Sequence, residues 1–87
     1  MNYLKLPLPN GASVIEVTLD GVESDVFLVD SANLSNFERG RQFSYNGGHY
    51  TRSPVRLSVA SGGASTVVVV PGPGGTVRAS VRVLTST

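Results

Sequence analysis

With 87 residues and no cysteine, the chain can build one modest core and has no disulfide or thiolate metal site to brace it; a domain of this size hides only about 60 to 65% of the surface its unfolded form exposes. A single histidine excludes the usual His-rich zinc arrangements. The formal charge of +1 is unevenly spread, because residues 1–30 hold Lys5 against Glu16, Asp20, Glu23, Asp25 and Asp30, whereas residues 31–87 hold Arg39, Arg41, Arg52, Arg56, Arg78 and Arg82 against Glu38. Two readings are open: the halves pack side by side and offset each other, or one surface is basic and meets an anion. Every cation after Lys5 is arginine, whose planar fork suits carboxylate, phosphate or carbonyl groups.

No apolar run is longer than Val67 to Val70, far short of the roughly 18 residues that span a bilayer. The amino terminus, MNYLKLPLPNG, lacks the apolar core and cleavage site of a secretory signal. The chain therefore reads as a soluble, cytoplasmic protein with no membrane partner.

Taken in order, Ser13 to Asp20 alternates, with Ile15, Val17 and Leu19 on one parity and Glu16 and Thr18 on the other, the period of a half-buried strand. Asp20-Gly21 then precedes a second apolar run, and Asp-Gly between hydrophobic stretches is a strong signal for a two-residue hairpin. Ser13 to Leu19 and Val22 to Asp30 are accordingly expected to pair antiparallel. Val26 to Val29 is apolar at consecutive positions, as in a strand covered on both faces.

Ser31 to Ser53 is long and polar, with only a weak strand candidate at Arg41 to Tyr45 and a sharp bend expected at Asn46-Gly47-Gly48. Pro54 to Val59 alternates again, placing Val55, Leu57 and Val59 inward. Ser61 to Ser65 reads as a turn and the β-branched run Thr66 to Val70 as a strand. Pro71 to Gly75, PGPGG, is a tight turn whose prolines discourage edge pairing. Thr76 to Leu84 closes the chain with Val77, Ala79, Val81 and Val83 inward and Arg78 and Arg82 outward. No period of 3.6 persists over ten residues, so helix is expected to be absent or confined to one turn. The sum is one all-β domain over residues 1–87, a small antiparallel β-sandwich or partly open β-barrel of about six to seven short strands.

The central segment is the place to look for function. Arg39, Arg41, Tyr45, His49, Tyr50 and Arg52 interleave cations with rings, which suits a protein interface and equally a nucleotide or single-stranded nucleic acid. A purely structural reading stands beside these, in which Phe43 and Tyr45 fill the core and the arginines pair with Asp25, Asp30 or Glu38. A His49-based hydrolase is a third reading, since an imidazole titrates near neutral pH; Ser44, Ser53 and Asp30 are its only candidate partners, and catalysis would need them within hydrogen-bond reach. PGPGG precedes a strand rather than a helix, so it is not a phosphate-binding loop. Arg78 and Arg82, about 13 Å apart along one strand face, could track an anionic backbone with Arg56 if that strand is adjacent, or form a solvated face.

Together VIEVTLDG, VFLVDSANLSNFERGRQFSYNGGHYTRSPVRL and TVRASVRVL resemble the small bacterial domain-of-unknown-function family eighteen-eighty-three, over nearly the whole chain. The resemblance is most specific at Asp30 to Asn36, Arg39 to Arg41, Gly47 to Tyr50, Ser53 to Val55 and Val77 to Val83. It implies a compact all-β domain, found alone and sometimes attached to TIR-like domains, and brings no activity with it. The chain departs from the family at Ala64, Ser65 and Thr66, where members carry a bulkier strand start, and at PGPGG, which replaces an acidic, glycine-rich turn. The resulting expectation is a non-enzymatic binding domain of a bacterium or phage, needing no cofactor, touching an unknown protein partner through the six central residues and able to self-associate through open edge strands. The alternative is a nucleotide or single-stranded nucleic acid binder using the same residues.

Overall fold

The computed structural model describes residues 2–59 and 63–86. Its elements in chain order are β1 (Leu4–Pro7), β2 (Ala12–Gly21), β3 (Ser24–Val29), α1 (Ser31–Glu38), β4 (Asn46–Tyr50), β5 (Val55–Ser58), β6 (Thr66–Pro71) and β7 (Val77–Ser86). The strands form two antiparallel sheets, one ordered β1-β6-β3-β4 and the other β5-β2-β7. This is the all-β sandwich that the alternating valine pattern calls for.

The main core lies between the sheets. Ile15 and Val17 from β2 and Val55 and Leu57 from β5 meet Val26, Leu28, Val67 and Val69 from the four-stranded sheet, all buried. In β7, Val77, Ala79, Val81 and Val83 are half-buried while Arg78, Ser80 and Arg82 are exposed, in keeping with its alternation. The run Val26 to Val29 is buried throughout because β3 is central and both its faces are covered. Its outward residues, Phe27 and Val29, join Val68 in a second core that Tyr3, Leu34, Phe37, Phe43 and Val70 close from outside.

The expected hairpin between Ser13 to Leu19 and Val22 to Asp30 does not form. Asp20 and Gly21 remain inside β2, opposite Arg78 and Val77 of β7, and β3 passes to the other sheet. A strand buried on both faces needs a neighbour on each edge, and β6 and β4 fill those places. Gly21 is required for close approach rather than for a turn: with φ at 137° a Cβ there would overlap the Thr76 carbonyl oxygen.

Helix α1, of eight residues, exceeds the single turn expected. Asp30 caps it, in extended conformation, its carboxylate accepting the Asn33 amide at 2.8 Å. The Gly40 amide donates to Phe37 and the Arg41 amide to Asn36, with Gly40 at φ 70°, a left-handed stop that satisfies the last carbonyls. Only Leu34 and Phe37 are apolar contacts to the sheet, a pair too short to register as a helical period.

Two further expectations in this region are corrected. Arg41 to Tyr45 is irregular rather than a strand, and Asn46-Gly47-Gly48 is extended within β4 rather than a bend. Gly47 lies opposite Phe27, where a Cβ would overlap the Val26 carbonyl and sit 2.6 Å from Phe27 Cα; glycine is the residue that lets this strand pair closely. PGPGG bridges from β6 to the other sheet, and Pro71 ends a central strand opposite Ser24, so these prolines guard no edge. The turn expected at Ser61 to Ser65 lies partly outside the described residues.

Candidate functional site

Five of the six aromatic residues gather on the outer face of the four-stranded sheet. Phe27 projects from β3 and Phe37 from α1, while Phe43 and Tyr45 come from the irregular stretch before β4. Ring centroids are 5.4 Å apart for Phe27 and Phe37, 5.6 Å for Phe27 and Phe43, and 5.3 Å for both Phe27–Tyr45 and Phe43–Tyr45. Tyr3 joins edge-on to Phe37 at 5.0 Å. Such tilted and edge-on pairs align ring edges with ring faces and stabilise beyond the area they bury. Phe27 is 5% exposed and Tyr45 57%, so the cluster grades from a buried floor to an open rim.

Against this cluster lies a groove of about 440 Å³ whose lining includes Phe27, Phe43, Tyr45, His49, Asp25 and Val70. A second groove of about 440 Å³ continues past His49, Asp25 and Val70 along Pro71 to Gly75. The His49–Asp25 pair stands between the two. His49 Nδ1 is 2.7 Å from Asp25 Oδ1 and Nε2 is 3.7 Å from Glu23 Oε2. The Asp25 hydrogen bond, then the fields of Asp25 and Glu23, raise the imidazole's pKa above its ordinary value, while partial desolvation pulls it down. Their half-exposure keeps the pair wetted and screened.

The far side of the cluster is stapled. The Tyr3 hydroxyl donates to Glu38 Oε2 at 2.5 Å and Lys5 Nζ donates to the same oxygen at 2.9 Å. These two hydrogen bonds, from Tyr3 and then Lys5, hold the Glu38 carboxyl below its usual range. The helix end is thus tied to β1, behind Phe37.

The six residues singled out in the central segment do not converge. Tyr45 and His49 line the aromatic groove. Tyr50 points the other way and packs on the core between the sheets, and it lines with Arg52 a separate shallow hollow near Leu19 and Gly21. Arg39 caps the end of α1 and Arg41 follows it, both exposed. The expected pairing of these arginines with Asp25, Asp30 or Glu38 does not occur, because those carboxylates are taken by His49, by Asn33 and the helix cap, and by Tyr3 and Lys5. Among the described residues no ion pair engages Arg39, Arg41 or Arg52. Sequence reasoning missed Phe27, Asp25 and Glu23; the one available signal was the parity that sets Asp25 and Phe27 on the same face of a strand.

For hydrolysis His49 would need a nearby nucleophile. Its hydrogen-bond partner is Asp25 rather than Asp30, the Ser53 hydroxyl accepts the Leu19 amide, and the Ser44 amide is bonded to Asn33. Among the described residues no three His, Cys, Asp or Glu side chains are grouped to hold a metal, and no helix is long and apolar enough to cross a membrane.

The class of protein set out by these sheets is a small all-β sandwich carrying one short helix and an aromatic groove on its outer face. The chain belongs to the family described as Domain of unknown function (DUF1883), whose model matches residues 3–87. No curated protein and no solved structure matches it.

Proposed function

We propose that this domain is a non-enzymatic protein-interaction module whose contact surface is the aromatic groove, centred on Tyr45 and His49 and bordered by the open edge of β4. The observation that carries this reading is the exposure of Tyr45, 57% accessible at the rim of a cluster of five rings. A ring held against other rings loses little freedom on binding, and tyrosine is among the residues that dominate interface energetics.

The test is retention of partners from an extract of the host by the tethered domain. A protein held by the parent, lost with Tyr45→Ala and kept with Arg78→Ala on the opposite sheet supports the reading; retention indifferent to Tyr45 overturns it. A second reading, a nucleotide or single-stranded nucleic acid ligand, is favoured by the exposed ring of Tyr45 and by Arg39 and Arg41, exposed and without an ion pair. It is opposed by Asp25, whose carboxylate lines the groove and would repel phosphate there. Binding that falls steeply with salt and is lost in an Arg39→Ala, Arg41→Ala double variant would favour it. The edge strands β4 and β7 also make self-association part of the proposal, for which native mass gives the subunit number.

A further inference from the structure

The aromatic groove has two chemical components that point to one kind of occupant. Its wall is a mutually contacting trio, Phe27, Phe43 and Tyr45, with interplanar angles of 41°, 52° and 40°. All three rings line the groove, Tyr45 as its exposed rim and Phe27 as its buried floor, and the face of an aromatic ring carries negative potential. The Asp25 carboxylate lines the same groove, and Glu23, outside that lining, stands 3.7 Å from His49; both side chains are more than half exposed. Ring faces and carboxylates both attract positive charge. An arginine or lysine side chain matches that layout, because its aliphatic stem can lie along apolar rings while its charged head reaches Asp25.

Resting on the reading of the domain as an interaction module, we propose that the groove receives a cationic side chain of a protein partner, an arginine guanidinium or lysine ammonium, laid against Tyr45 and Phe43 over the Phe27 floor with its charge toward Asp25. His49 is the competitor for that carboxylate. Protonated, the imidazolium bonded to Asp25 offsets its charge and repels an incoming cation; neutral, it leaves the negative charge of Asp25 uncompensated for the ligand. The charged groups facing His49 are Asp25 from β3 and Glu23 just before it. The remaining charges near the cluster are elsewhere engaged or unpaired: Lys5 binds Glu38, and Arg39 and Arg41 form no ion pair with Asp25 or Glu23. Cation binding should therefore tighten as pH rises through the titration of His49, and by reciprocity the bound cation should lower the pKa of His49.

The probes are N-acetyl-arginine amide and its neutral isostere N-acetyl-citrulline amide, added to the whole chain and followed by NMR at the resonances of Tyr45, Phe43 and His49. The arginine probe should bind about fivefold more tightly than citrulline. Tyr45→Phe should keep that preference, whereas Tyr45→Leu, which retains bulk without a π-face, and Asp25→Asn should each reduce it. Both positions are exposed, and each variant's spectrum shows whether its fold is intact. Equal response to arginine and citrulline, shifts confined to another surface, or no shift at the groove overturns the proposal. If a partner is still retained through Tyr45 while the groove ignores arginine, the cation assignment falls alone. If Tyr45→Ala leaves partner retention unchanged, the interaction reading falls first.

Discussion

The outer faces of the two sheets solve the same problem in opposite ways. On the three-stranded sheet the outward residues are polar, and Glu16 at the centre of β2 is gripped from both sides, by Arg56 Nε at 3.3 Å and Arg82 Nη2 at 2.8 Å. The Glu16 side chain is only 10% exposed, while the two arginines are about 70% exposed. Arg56 and Arg82 thus lie on strands flanking β2 rather than on adjacent ones, and their charge is directed inward at Glu16 instead of forming a track for an anionic backbone. On the four-stranded sheet Phe27 and Val29 of β3 and Val68 of β6 face outward, and the chain covers them with α1, Phe43 and Tyr45. One face is finished with ions and water; the other needs a lid, and the incomplete lid is the groove. A surface closed by its own ion triad offers a partner little, whereas an aromatic floor left partly open does.

That contrast can be broken at several points. The largest effect is expected from Phe27→Ala, which removes the buried ring that Phe37, Phe43 and Tyr45 all touch; a loss of about 3 to 5 kcal/mol in denaturant unfolding would be typical of such a truncation. A much smaller loss would mean that the outer cluster is surface decoration. Next, Glu16→Gln leaves two arginines without their carboxylate. Because both guanidinium groups are largely hydrated, the cost should be about 1 to 2 kcal/mol, below that of breaking a fully buried pair, with the aromatic resonances unmoved. Asp30→Ala, which uncaps α1, should cost about 1 kcal/mol and should perturb Phe37 and Tyr45 more than any residue of β7.

The smallest effect concerns pH. His49 has its pKa raised first by its hydrogen bond to Asp25, so its contribution to stability is present below the ordinary imidazole value of about 6.5 and is lost as pH rises through the higher value of the folded protein. An NMR titration should show Asp25→Asn lowering the His49 midpoint and removing that slope. An unchanged midpoint would detach His49 from Asp25 in solution.

How far these faces could be read from the chain follows from the same contrast. The alternation of Ile15, Val17 and Leu19, of Val55 and Leu57, and of Val77 to Val83 is written by a sheet with one wet face, and it was legible residue by residue. Val26 to Val29 announced cover on both sides without saying what the cover was. The helix that supplies it carries two apolar contacts, too few to make a period, and Tyr3, just before β1, reaches the cluster from 35 residues away from its partner Glu38. Of the six candidate residues, two neighbours were separated by the pleat of β4: His49 turns outward to the groove and Tyr50 turns into the core.

The sequence by itself determined the all-β class and the inward positions of the three-stranded sheet, because burial of one face imposes a two-residue period that local chemistry records. Only the tertiary structure decided that β2 and β3 part company and that Asp25 and His49 meet beside Phe27, Phe43 and Tyr45. Those contacts depend on which strands become neighbours, and that choice is made by the joint burial of both faces of β3, a condition no single stretch of the chain contains.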